Sequence, residues 1–104
     1  MIDQLTGLPV NQEDILIVTR HTGLIEWLHL RGIHGTVKSH VQEEDVADKV
    51  IIGTLPMLLA SLAKCCIVVD MPYLPESERG KDLLPSHMDK YGARLTLYIV
   101  RRLL

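Results

Sequence analysis

The sequence predicts a small open α/β sheet of about four mainly parallel strands with helices on both faces. Short apolar runs such as Asp14-Ile-Leu-Ile-Val-Thr19 and Lys49-Val-Ile-Ile52 are continuous and end in polar residues. That is the pattern of strands buried on both faces, as in a parallel sheet. Segments of helical spacing alternate with these runs, as crossovers between parallel strands require. The 104 residues are 47% apolar and 23% charged, which suits one globular domain with one modest core.

The elements follow in order. Residues 1–13 hold Gly7, Pro9 and several polar groups and read as a leader, so the domain spans residues 14–104. The first strand is Asp14 to Thr19. Leu24 to Arg31 then forms a helix with Leu24, Trp27 and Leu28 inward, Thr22 or Gly23 as its cap and Gly32 as its stop. Thr36-Val-Lys-Ser-His-Val41 alternates as a second strand, and the acidic stretch from Gln42 to Asp48 holds at most one helical turn. Lys49 to Ile52 is the third strand. A helix from Pro56 to Lys64 follows, with Thr54 or Leu55 at its cap and Pro56 in its first turn, where a missing N–H is harmless. Cys66-Ile-Val-Val-Asp70 is the fourth strand, and Met71 to Pro85 is a long loop. Met88, Tyr91, Leu95, Tyr98 and Ile99 fall on one stripe and predict a closing helix over residues 86–100. Four strands leave an exposed sheet edge, which favours a symmetric dimer.

Eleven basic against 13 acidic side chains give a net charge of −2. This balance argues against a protein that coats duplex nucleic acid and offers no basis for sequence-specific DNA binding. Cys65 and Cys66 are adjacent and cannot staple a secreted fold, so they read as reduced thiols. No basic, apolar signal segment opens the chain. The apolar stretch Val50 to Val69 is broken by Gly53, Thr54, Pro56, Ser61 and Lys64, which argues against a membrane span and for a cytoplasmic location.

Ligands of open α/β sheets bind outside the carboxyl ends of the strands. Three polar loops fall there: Thr19-Arg-His-Thr-Gly23, Gly53-Thr-Leu-Pro56 and Asp70-Met-Pro72. The first two each run into a helix N-terminus, where free N–H groups and the helix dipole favour phosphate. Gly23 and Gly53 let the backbone approach a ligand. Arg20 offers a bidentate donor for phosphate, and His21 a group that titrates near neutral pH. No dinucleotide fingerprint, Walker motif, nucleophile elbow or metal-binding histidine spacing is present, so neither a metal nor a cofactor is expected. The run Glu43, Glu44, Asp45 and Asp48 reads as a solvated face.

Val18-Thr-Arg-His-Thr-Gly-Leu-Ile-Glu-Trp27, Val50-Ile-Ile-Gly-Thr-Leu-Pro56, Arg79-Gly80 and Tyr91-Gly-Ala-Arg-Leu95 occur in this order. They resemble the small CRISPR-associated Csx family numbered sixteen, found beside type III systems, over about Asp14 to Val100. The chain departs from that pattern at Thr22, where proline is expected, and in its leader. The resemblance implies a Rossmann-like (CARF-like) ring nuclease. Such an enzyme binds a cyclic oligoadenylate, cyclic tetra-adenylate first among them, and opens it without a metal to products with 2′,3′-cyclic phosphate ends. Opening the ring switches off type III antiviral signalling. A two-fold messenger also suits a homodimer. On that reading Arg20 and His21 are the catalytic pair and Glu26 orients them. Thr19, Thr22, Gly23, Gly53, Thr54, Leu55 and Pro56 line the substrate, with Arg79 and Lys81 closing over it as a lid. The alternative is a module that binds the messenger without cutting it.

Overall fold

The computed structural model describes residues 11–104, so residues 1–10 of the expected leader lie outside the described residues. Strands β1 (Ile15–Val18), β2 (Thr36–Lys38), β3 (Val50–Gly53), β4 (Cys65–Asp70) and β5 (Arg94–Tyr98) form one sheet in the order β2-β1-β3-β4-β5. The first four are mutually parallel, and β5 runs antiparallel to β4 along one edge. Helices α1 (Thr22–Leu30), α2 (Glu43–Val46), α3 (Met57–Leu62) and α4 (Pro85–Lys90) make or follow the crossovers. Among the described residues no helix is long and apolar enough to cross a membrane.

The two-residue period of the strands divides the core. Ile15, Ile17, Val50, Ile52, Cys65 and Ile67 point to one face, where Trp27 and Leu28 of α1 and Met88 of α4 cover them. Leu16, Ile51 and Cys66 point to the other, under Val46 of α2 and Ala60 of α3. Continuous apolar runs are therefore required, because both faces are buried. The same period sends Cys65 and Cys66 to opposite sides of the sheet, where both side chains are buried.

The predicted fold class stands, but the last third of the chain is built differently. The expected helix over residues 86–100 is a short α4 followed by β5, giving five strands rather than four among the described residues. Gly92 adopts φ 78° just after α4, the left-handed conformation that ends a helix. Beyond it, Arg94-Leu-Thr-Leu-Tyr98 alternates with the period of a strand and satisfies the open edge of β4, from Cys66 opposite Tyr98 to Asp70 opposite Arg94.

Candidate functional site at the carboxyl edge of the sheet

The register fixes which loops meet. Val18 pairs with both Lys38 and Gly53, so β1, β2 and β3 end in one row. From β1 the chain turns outward through α1 to β2, and from β3 it turns the other way through α3 to β4. The helices α1 and α4 share one face of the sheet, and α2 and α3 the other. The order therefore reverses between β1 and β3, which is where a doubly wound sheet opens a crevice.

The loop after β1 is held by its own polar groups. The Thr19 N–H donates to the Lys38 carbonyl at 3.1 Å, extending the β1–β2 ladder by one bond. The Thr19 Oγ1 then accepts the His21 N–H at 3.1 Å, turning the chain into α1. His21 occupies the N-cap, displacing the expected Thr22 and Gly23 into the helix. The loop after β3 turns at Gly53 (φ 141°), where an added Cβ would lie 2.4 Å from the Val18 carbonyl oxygen. Only glycine lets the two loops sit this close. Thr19, Arg20, His21, Gly53 and Thr54 together line an open cleft of about 300 Å³ floored by Val68 and Val69.

A second cleft, of about 180 Å³, adjoins the first through His21, Leu24 and Val69. Its far wall comes from the long loop after β4 and includes Met71, Lys81 and Leu83. This loop is pressed onto the start of α1: a Cβ on Gly23 would lie 1.7 Å from the Leu83 carbonyl oxygen. Close approach to the protein's own backbone explains Gly23, rather than the approach to ligand expected of it. The same loop brings the Asp82 carboxylate onto the Nδ1 of His21, across 61 residues of sequence.

The structure thus gathers Thr19, Arg20, His21, Gly53 and Thr54 at one cleft and places Lys81 on its neighbour. It does not place every expected residue there. Leu55 packs against the core on the α2–α3 face. Pro56 is the N-cap of α3 rather than a first-turn residue, so neither Thr54 nor Leu55 caps that helix. Arg79 is exposed and lines neither cleft. Glu26 is exposed on α1, and among the described residues no hydrogen bond or ion pair joins it to Arg20 or His21. Nothing local in the sequence marks Asp82, a carboxylate that meets its partner only through the fold. In the third expected loop, Asp70 accepts the Thr96 hydroxyl and ties β4 to β5.

The groups with displaced titration lie away from these clefts. Hydrogen bonds from the Trp27 indole and the Arg31 guanidinium hold the Asp89 carboxyl below the usual carboxylate range. The Gln42 backbone N–H, then the Lys38 ammonium, do the same for Asp45. Burial pushes the Cys66 thiol up, which makes it a poor nucleophile. Among the described residues no three His, Cys, Asp or Glu side chains gather as a metal-holding group.

Residues 16–101 match the family model described as putative CRISPR-associated protein (Cas_VVA1548), and the chain belongs to that family. No curated protein and no solved structure matches the chain.

Proposed function

We propose that this member of a CRISPR-associated family is a ring nuclease that binds and opens a cyclic oligoadenylate, cyclic tetra-adenylate first among them. The observation that carries the reading is the convergence of Arg20, His21, Thr19 and Thr54 on one crevice at the reversal point of the sheet. A guanidinium and an imidazole at such an edge suit a phosphodiester. The apolar cleft beside it, walled by Leu24, Val69 and Met71, suits the face of a base. A cyclic oligonucleotide presents both chemistries in alternation.

The step is internal transesterification. The ribose 2′-oxygen attacks its own 3′-phosphorus and forms a P–O bond as the bond to the neighbouring 5′-oxygen breaks, leaving a 2′,3′-cyclic phosphate. His21 removes the 2′-hydroxyl proton, and the resulting imidazolium returns a proton to the departing 5′-oxygen. Arg20 neutralises the charge that develops on the phosphate oxygens. The Thr19 and Thr54 hydroxyls and the N–H groups after Gly53 hold the phosphate in line. The nucleophile belongs to the substrate, so the protein supplies placement, charge and a proton carrier. A homodimer with its two-fold axis through a two-fold ring would offer each group twice.

Against the alternative of a binder that leaves the ring intact stands the His21–Asp82 pair, since a carboxylate on a histidine is the arrangement of an oriented base. The variants His21→Ala and Arg20→Ala separate the two. With His21→Ala, turnover of labelled cyclic tetra-adenylate is expected to fall about 10²–10⁴-fold while its Kd stays within about threefold. Equal loss of turnover and affinity would leave His21 as a ligand contact only. Arg20→Ala is expected to weaken binding and turnover together.

A further inference from the structure

We propose that Asp82 is a positioning residue for His21: it fixes the imidazole proton on Nδ1 and leaves Nε2 as the nitrogen that faces the reacting phosphate. The inference rests on the proposed role of His21 and adds to it the residue that sets the ring's tautomer and direction.

Three observations support it. The Asp82 carboxylate meets Nδ1, so that nitrogen is engaged and the proton-accepting position of the neutral ring falls to Nε2. Among the described residues Asp82 is the one group bonded to the ring: Thr19 takes the backbone N–H of His21, and the Lys81 ammonium lies 3.7 Å from Glu78. The loop carrying Asp82 is fastened on its carboxyl side. Leu83 lies against Gly23, and α4 begins at Pro85 and is tied to α1 through Asp89. Asp82 is therefore presented to His21 by backbone contact and does not depend on the pair itself for its placement.

Exposure decides what the pair does. The His21 and Asp82 side chains are 51% and 71% exposed, and a pair this wet contributes little to folding. Its consequence lies in which nitrogen bears the proton. A ligand covering the two clefts would exclude water from the pair and strengthen it when His21 takes up the 2′-hydroxyl proton. The carboxylate then stabilises the imidazolium and stays ionised itself.

The test uses the full chain and the variants Asp82→Ala, Asp82→Asn and Asp82→Glu. Nitrogen-15 NMR of the ligand-free protein reads the tautomer of the neutral His21 ring. Single-turnover cleavage and equilibrium binding of labelled cyclic tetra-adenylate read the consequence. The wild type is expected to carry the proton on Nδ1, with Asp82→Ala and Asp82→Asn moving the neutral ring toward Nε2–H. Those two variants are expected to lose about 10–100-fold in cleavage rate with Kd changed less than about threefold, and Asp82→Glu to recover part of the rate. An unchanged tautomer in Asp82→Ala, or equal losses of rate and affinity, would overturn the proposal. If the wild type leaves the ring intact, the nuclease reading fails. The NMR arm, which needs no ligand, still shows whether Asp82 sets the proton or whether that part fails as well.

Discussion

Trp27 lies on the helical stripe that points inward and is 1% exposed, yet it carries a polar N–H that must be satisfied. The indole donates to Asp89 at 2.9 Å, Arg31 donates to the same oxygen at 2.8 Å, and the guanidinium lies 3.7 Å over the indole ring. One carboxylate thereby joins α1 to α4. Its folded-state pKa lies below its unfolded value, so its contribution is fully present above the ordinary carboxylate pKa near 4 and is lost as pH falls through the lower folded value. Asp89→Asn is therefore expected to be less stable than wild type at neutral pH and to lose less stability between about pH 4 and pH 2, measured by denaturant melts across that window. Gly23 acts by what it lacks. Gly23→Ala puts a Cβ into the Leu83 carbonyl and forces the loop off α1, at a cost of about 1–3 kcal/mol or more. Because that loop carries Lys81 and Asp82, the variant is expected to lose the proposed ring cleavage beyond what its fall in Tm explains. Of the site, Arg20, His21 and Thr54 were legible as polar residues at strand ends. Asp82 was not, because its meaning arises from a contact across 61 residues that no periodicity encodes.

At the scale of elements, the buried strands were the most legible part, since β1, β3 and β4 must be apolar on both sides and turn polar where they leave the sheet. The segment over residues 86–100 was the least. Met88, Tyr91, Leu95, Tyr98 and Ile99 satisfy a helical stripe, while Leu95 and Leu97 equally satisfy a strand with one face on the core. The tie is broken by two facts that local spacing does not contain: the vacant edge of β4 and the positive φ of Gly92. Gly92 also abuts Tyr73, so a Cβ there would lie 2.7 Å from the ring. Gly92→Ala is expected to destabilise the domain by about 1–2 kcal/mol from backbone strain alone, seen as a lowered denaturant midpoint. Hydrogen exchange should show the loss first in the β5 amides, because β5 begins two residues beyond Gly92.

For the whole molecule, the sheet is the wall between two small cores, and Trp27 is the largest fully buried side chain. Trp27→Ala is expected to cost about 3–5 kcal/mol, against a total stability of about 5–15 for a domain of this kind. Circular dichroism should show a markedly lowered melting temperature relative to the wild type. The arrangement also accounts for how a chain of net charge −2 would serve an anionic ligand. Glu43, Glu44 and Asp45 sit on α2, while Arg20, His21 and Lys81 line the clefts at the carboxyl edge. Charge is thus placed locally where the total disfavours binding. The most direct test of the proposed chemistry is incubation of the full chain with labelled cyclic tetra-adenylate in excess chelator, with the products resolved by chromatography. Linear adenylates ending in a 2′,3′-cyclic phosphate, formed about 10²–10⁴-fold more slowly with His21→Ala, are the predicted result. A ring that stays intact, whether bound or free, would contradict it.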